Sequence, residues 1–139
     1  MEFHKIAVLN GHFQPLREVR VDPTGAAVHS GWGVYTTVRI YRGHPFNVAA
    51  HARRLETDAR RMGIPLPGEF AGLDEDLGDL ARRNGVGDGI GRVYVLGGPM
   101  GRFSASGPST ADILILTRDL LEKRHRLRVA LGVDQQERE

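Results

Sequence analysis

The sequence predicts an α+β fold, a small mixed, mainly antiparallel sheet covered by two helices. Three observations predict it. Short runs of β-branched and aromatic residues recur along the chain, turn residues separate several of them, and two stretches carry apolar residues at helical steps. The chain has 139 residues, one domain's length and enough to bury a core.

The elements follow in order. Residues 6–9 are a short apolar run, and Asn10-Gly11 is a strong turn signal, so residues 12–14 read as the second arm of a hairpin. Residues 19–21 are expected as another short strand before the Asp22-Pro23-Thr24-Gly25 turn. Residues 34–41 give the clearest strand. Val34, Thr36, Val38 and Ile40 point one way, and Tyr35, Thr37, Arg39 and Tyr41 the other. The first face suits a core; the second, with its hydroxyls and guanidinium, suits a wet cleft.

Asn47 is expected to cap a helix that Gly63 ends. Val48, Ala52, Leu55, Ala59 and Met62 form its apolar stripe, with His51, Arg54, Asp58 and Arg61 on a neighbouring face. A second helix is expected over residues 73–84, acidic at its start and basic at its end, as the helix dipole favours. Residues 85–91 read as a glycine-rich connector, and residues 92–96, 111–117 and 127–131 as strands. No internal repeat is found.

Composition narrows the function. Hydrophobic residues make up 40% and charged residues 26%, as in soluble globular domains. With no cysteine, disulfides and thiolate metal sites are excluded, and a cytoplasmic location is expected. No apolar run reaches membrane-spanning length, and the start is no signal peptide. The nineteen basic residues, seventeen of them arginine, leave a net charge of only +2. Their densest cluster, Lys123-Arg124-His125-Arg126 with Arg128, reads as a solvated face rather than a nucleic-acid surface. The six histidines lack metal-ligand spacing, so no metal is expected. No Ser elbow, phosphate loop or dinucleotide fingerprint is present.

A longer pattern is more informative. Asn10-Gly11 precedes Gly31-Trp-Gly-Val-Tyr-Thr-Thr-Val-Arg-Ile-Tyr-Arg-Gly-His-Pro-Phe46, then His51-Ala-Arg-Arg-Leu55, then Met62-Gly-Ile-Pro-Leu-Pro67. In this order they resemble the opening of the class IV aminotransferases, the fold-type IV pyridoxal-phosphate enzymes. That family includes branched-chain and D-amino acid aminotransferases and aminodeoxychorismate lyase. The resemblance covers essentially the whole chain, is best over residues 31–67, and weakens after Leu73.

The resemblance implies that residues 1–139 are the N-terminal domain of such an enzyme, working on an amino acid or aminodeoxychorismate with pyridoxal 5′-phosphate. Arg54, the arginine of His-x-x-Arg-Leu, would bind the cofactor's phosphate; an arginine fork matches phosphate bidentately and stays charged. Tyr35, Thr37 and Arg39 would line the substrate side. The family's Schiff-base lysine would fall past Glu139. Lys5 and Lys123 read as solvated, so this chain is expected to be inactive alone.

Two departures bear on the substrate. Trp32 stands where the family usually has aspartate, and Thr36 where many aminotransferases have glutamate; Thr36-Thr37 is closer to the lyases. Leu96-Gly97-Gly98 replaces a Ser-Arg-Gly or Thr-Arg-Gly that helps bind the substrate carboxylate, with Arg102 as a substitute. Beside the aminotransferase reading stand a lyase, a non-catalytic self-associating module, and a basic nucleic-acid module. Family members usually dimerise, so a homo-oligomer is expected.

Overall fold

The computed structural model describes residues 2–99 and 111–120. The first hairpin forms as expected, from β1 (Ile6–Leu9) and β2 (His12–Pro15), with Asn10 at φ 51° and Gly11 at φ 80°. Two successive positive φ values make the primed turn that matches strand twist. Asn10 also ties this hairpin to a distant strand, β6 (Asp112–Asp119). Its Nδ2 donates to Asp112 Oδ1 at 2.8 Å, and its Oδ1 accepts from Ile113 N at 2.8 Å.

The strand expected at residues 19–21 does not form. A 3-10 turn at Leu16–Glu18 takes the chain away from β2, and Val19 and Val21, with Arg20 between them, have no partner strand among the described residues. A short helix that the sequence reading missed, α1 (Ala26–Ser30), follows, ended by Gly31 at φ 66°. Five residues are too few to show a helical period.

β3 (Gly33–Tyr41) carries the expected alternation: Thr36, Val38 and Ile40 are buried, while Tyr35, Thr37 and Tyr41 are exposed. β4 (His44–Pro45) closes a tight hairpin onto Ile40 and Tyr41. α2 (Val48–Met62) then packs over β3. Asn47 precedes it at φ 58° and makes no side-chain capping bond, so it serves as a left-handed corner rather than the expected cap. Gly63, at φ 72°, ends the helix as expected. Val48, Leu55 and Ala59 are buried and Ala52 packs against them, but Met62 in the last turn is exposed.

α3 (Leu73–Arg83) buries Leu73, Leu77, Leu80 and Ala81 and opens with three acids, Asp74, Glu75 and Asp76. β5 (Gly89–Leu96) begins three residues earlier than expected, inside the glycine-rich segment. Gly89 and Gly91 are strand residues whose missing side chains admit close neighbours. A Cβ on Gly91 would lie 2.6 Å from Leu77 Cδ1, and one on Gly89 2.5 Å from the Arg118 carbonyl oxygen. The strand expected at residues 127–131 lies outside the described residues.

The described sheet runs in the order β2-β1-β6-β5-β3-β4, every neighbouring pair antiparallel. One face meets α2 and α3. Val8, Val38, Val93, Val95, Ile113 and Ile115 from the strands close over Leu55, Leu77 and Leu80 in one core. The helices cover one face of the sheet, which is the predicted α+β architecture.

Candidate functional site

The site lies where α2 crosses β3. On one side β3 pairs with β5 along its whole length, from Gly33 opposite Leu96 to Ile40 opposite Gly89. On the other side β4 reaches only Ile40 and Tyr41, so among the described residues no strand pairs with the edge from Gly33 to Val38. An open pocket of about 430 Å³ sits at this edge, lined by Gly33 to Thr37 of β3 and by Arg54 and Asp58 of α2.

This arrangement brings together three residues singled out in the sequence, Arg54, Tyr35 and Thr37. Arg54 reaches past the covered face to the strand edge. Its Nε lies 3.8 Å from Asp58 Oδ2, one helical turn on, and its terminal nitrogens have no partner among the described residues. A guanidinium with a free fork beside an open backbone edge and two side-chain hydroxyls is a natural anion cradle.

His51, one turn before Arg54, was not singled out as a site residue, and the structure gives it a role. Its Nδ1 shares a 2.8 Å hydrogen bond with Thr36 Oγ1, whose side chain is buried beneath α2. Burial holds the imidazole below its ordinary pKa, and the Arg54 charge pushes the same way. Near neutral pH the pocket's helical wall therefore carries two charges, Arg54 and Asp58, beside a neutral ring.

Arg39 lies on the same outer face as Tyr35 and Thr37 but not with them. Its Nη1 donates to the Ile40 carbonyl, and to that of Gly89 at 2.9 Å, and its guanidinium stacks 4.2 Å from the Tyr41 ring. Those contacts anchor it at the far end of β3. Arg102 lies outside the described residues.

Arg92 is the residue that the sequence reading missed. The β3–β5 register sets it directly opposite Thr37, with Tyr94 opposite Tyr35. Its guanidinium lies 4.4 Å from the Tyr35 ring centre and 5.5 Å from that of Tyr94. Its Nε is buried and has no hydrogen-bond partner among the described residues. The two-residue alternation of Arg92, Tyr94 and Leu96 was visible in the sequence; what faced them was not.

Two of the sequence departures, Trp32 and Gly97, are one structural feature. Trp32 donates from Nε1 to the Met62 carbonyl at 2.8 Å, fastening β3 to the end of α2. A Cβ on Gly97 would lie 2.2 Å from Trp32 Cε3 and 2.6 Å from its carbonyl oxygen. With Trp32 in place, no side chain fits at position 97.

Fold and pocket together define an α+β domain that presents an arginine fork at an open sheet edge. The chain belongs to the amino-transferase class IV family, whose model matches residues 33–139. It is 34% identical over 82 residues to D-alanine aminotransferase of Bacillus licheniformis, a match covering 59% of this chain and 29% of that protein. The fold is that of solved branched-chain aminotransferases. The Escherichia coli structure gives a TM-score of 0.72 at 22% identity, over 84% of this chain and 40% of that one. The Thermoproteus uzoniensis structure, solved with norvaline, gives 0.74 at 21% identity, over 85% and 41%. The chain spans less than half the length of these proteins.

Among the described residues no helix is long and apolar enough to cross a membrane, and no cluster of histidine and carboxylate groups is arranged to hold a metal.

Proposed function

We propose that residues 1–139 form the smaller, N-terminal domain of a pyridoxal-phosphate-dependent aminotransferase that acts on amino acids, with Arg54 holding the cofactor's phosphate. One observation carries this reading: Arg54 presents its free fork in one pocket with Tyr35 and Thr37 at the open edge of β3. The pocket suits a phosphate because its floor is backbone and hydroxyl, its one cation is a planar fork, and it opens to solvent. Bound there, pyridoxal phosphate supplies the electron sink for bond-breaking at an amino acid's α-carbon.

The chain's own residues orient and exclude. Tyr35 and Tyr94 form an aromatic wall on the substrate side. Arg92, its Nε buried and unpartnered between them, replaces Arg102 as our choice for the group that anchors a substrate carboxylate. The Schiff-base lysine that the family uses belongs, on this reading, to a segment after residue 139. Lys5 is exposed just before β1, three strand spacings from β3, on the order of 14 Å. That placement supports its reading as a solvated residue. Alone, residues 1–139 hold phosphate and orient substrate without turnover.

The test is direct. Titrating the chain with pyridoxamine 5′-phosphate should shift NMR signals of Arg54, Tyr35 and Thr37, and Arg54→Gln should abolish the response. Shifts confined to Lys5 or Lys123, or trapping of the aldehyde cofactor on either, would overturn the assignment.

A lyase is the second reading, favoured by the buried Thr36 bound to His51 where many aminotransferases have glutamate. A longer chain carrying the lysine distinguishes them: pyruvate released from aminodeoxychorismate alone supports the lyase, and amino-group transfer to 2-oxoglutarate supports the transferase.

A further inference from the structure

Resting on the phosphate assignment, the geometry points to Asp58 as a built-in counter-ion that occupies Arg54 when the pocket is empty and opposes the incoming phosphate monoester. Asp58 and Arg54 line the same pocket, and the Asp58 side chain is the more buried of the two, 34% exposed against 69%. Their 3.8 Å Nε–Oδ2 separation is an ion pair rather than a hydrogen bond. Asp58 thus touches one edge of the guanidinium and leaves the fork open. On the other side of Arg54, His51 has its Nδ1 committed to Thr36 and adds no positive charge near neutral pH. Asp58 is therefore the charged group of the described pocket lining that a bound phosphate must face along with Arg54.

Two effects compete. By steadying Arg54, an exposed pair one helical turn apart changes an equilibrium by a factor of about 2. By repelling the anion, a carboxylate in contact range acts against nearly two negative charges, a factor of about 5 for each even in water's dielectric. Repulsion wins. Asp58 keeps phosphate affinity below what Arg54 alone would give and so makes the cradle a releasable one. The role assigned to Asp58 is one of positioning and tuning; the contact with phosphate belongs to Arg54.

The experiment compares inorganic phosphate binding to the 139-residue chain, at low ionic strength, with its Asp58→Asn, Glu56→Gln and Arg54→Gln variants. Glu56 is exposed on the same helix and does not line the pocket, so its variant controls for charge removal in general. Asp58→Asn should tighten binding by a factor of about 3 to 10, and Glu56→Gln should leave it unchanged. In the parent chain, phosphate should also move the Asp58 carboxyl carbon resonance. Arg54-dependent binding that Asp58→Asn leaves unchanged or weakens overturns the counter-ion role alone, as does equal tightening by both acid-to-amide variants. Affinity indifferent to Arg54→Gln overturns the phosphate assignment itself.

Discussion

His51 shows how one side chain reports on its surroundings. Its depressed pKa means that the unfolded chain takes up a proton which the folded chain resists. Above the ordinary imidazole value, about 6.5, the ring is neutral in both states and the full stability is present. As pH falls below that value toward the folded one, stability is lost. Denaturant unfolding across this range should show a steeper decline for the parent than for His51→Gln, and parallel curves would refute the burial argument. Arg54 makes a complementary case. Arg54→Lys keeps the charge but loses the fork, so phosphate affinity should fall about tenfold, consistent with a charge-assisted bond of about 1.5 to 3 kcal/mol being partly lost. The place of Arg54 at the pocket was legible because a short motif fixed its register on the helix. Arg92 was not, since its importance comes from Tyr35, more than fifty positions away in sequence, and only strand pairing brings the two together.

Among the elements, long periodic stretches and turn glycines were read well, and the glycines inside a strand were read poorly. α2, α3 and β3 announced themselves by pattern, because each buries most of one face. The segment over residues 85–91 misled, since glycine spacing signals flexibility in isolation and close packing in a sheet. Gly91→Ala tests this at the α3–β5 contact. The added Cβ meets the fully buried Leu77, which has little room to move, so unfolding free energy should drop by about 1 to 3 kcal/mol. A neutral result in thermal denaturation would show that α3 sits more loosely than its contacts imply. Gly97→Ala should be at least as damaging because Trp32 meets it with backbone as well as ring. Trp32→Ala should recover only the ring's share. The indole and a side chain at 97 compete for one space.

The molecule as a whole rests on the core between α3 and the sheet. Leu77 is fully buried there, and Leu77→Ala should lower stability by about 2 to 5 kcal/mol in denaturant unfolding. The opposite face of the sheet carries exposed Tyr35 and Tyr41, with exposed Phe46 edge-on to Tyr41. Aromatic surface of this kind favours association, so light scattering should find a dimer or larger species; a clean monomer at high concentration would count against it. The open side of β3 adds a separate consequence. Among the described residues its backbone donors and acceptors from Gly33 to Val38 meet no ladder, and such a border is a template for another chain's strand. The Arg54–Asp58 pair stands over that template, and charges are what natural sheets use to keep such borders from zipping together. Neutralising both groups at once should therefore leave a protein that gels or precipitates on gentle warming, while each single change stays clear.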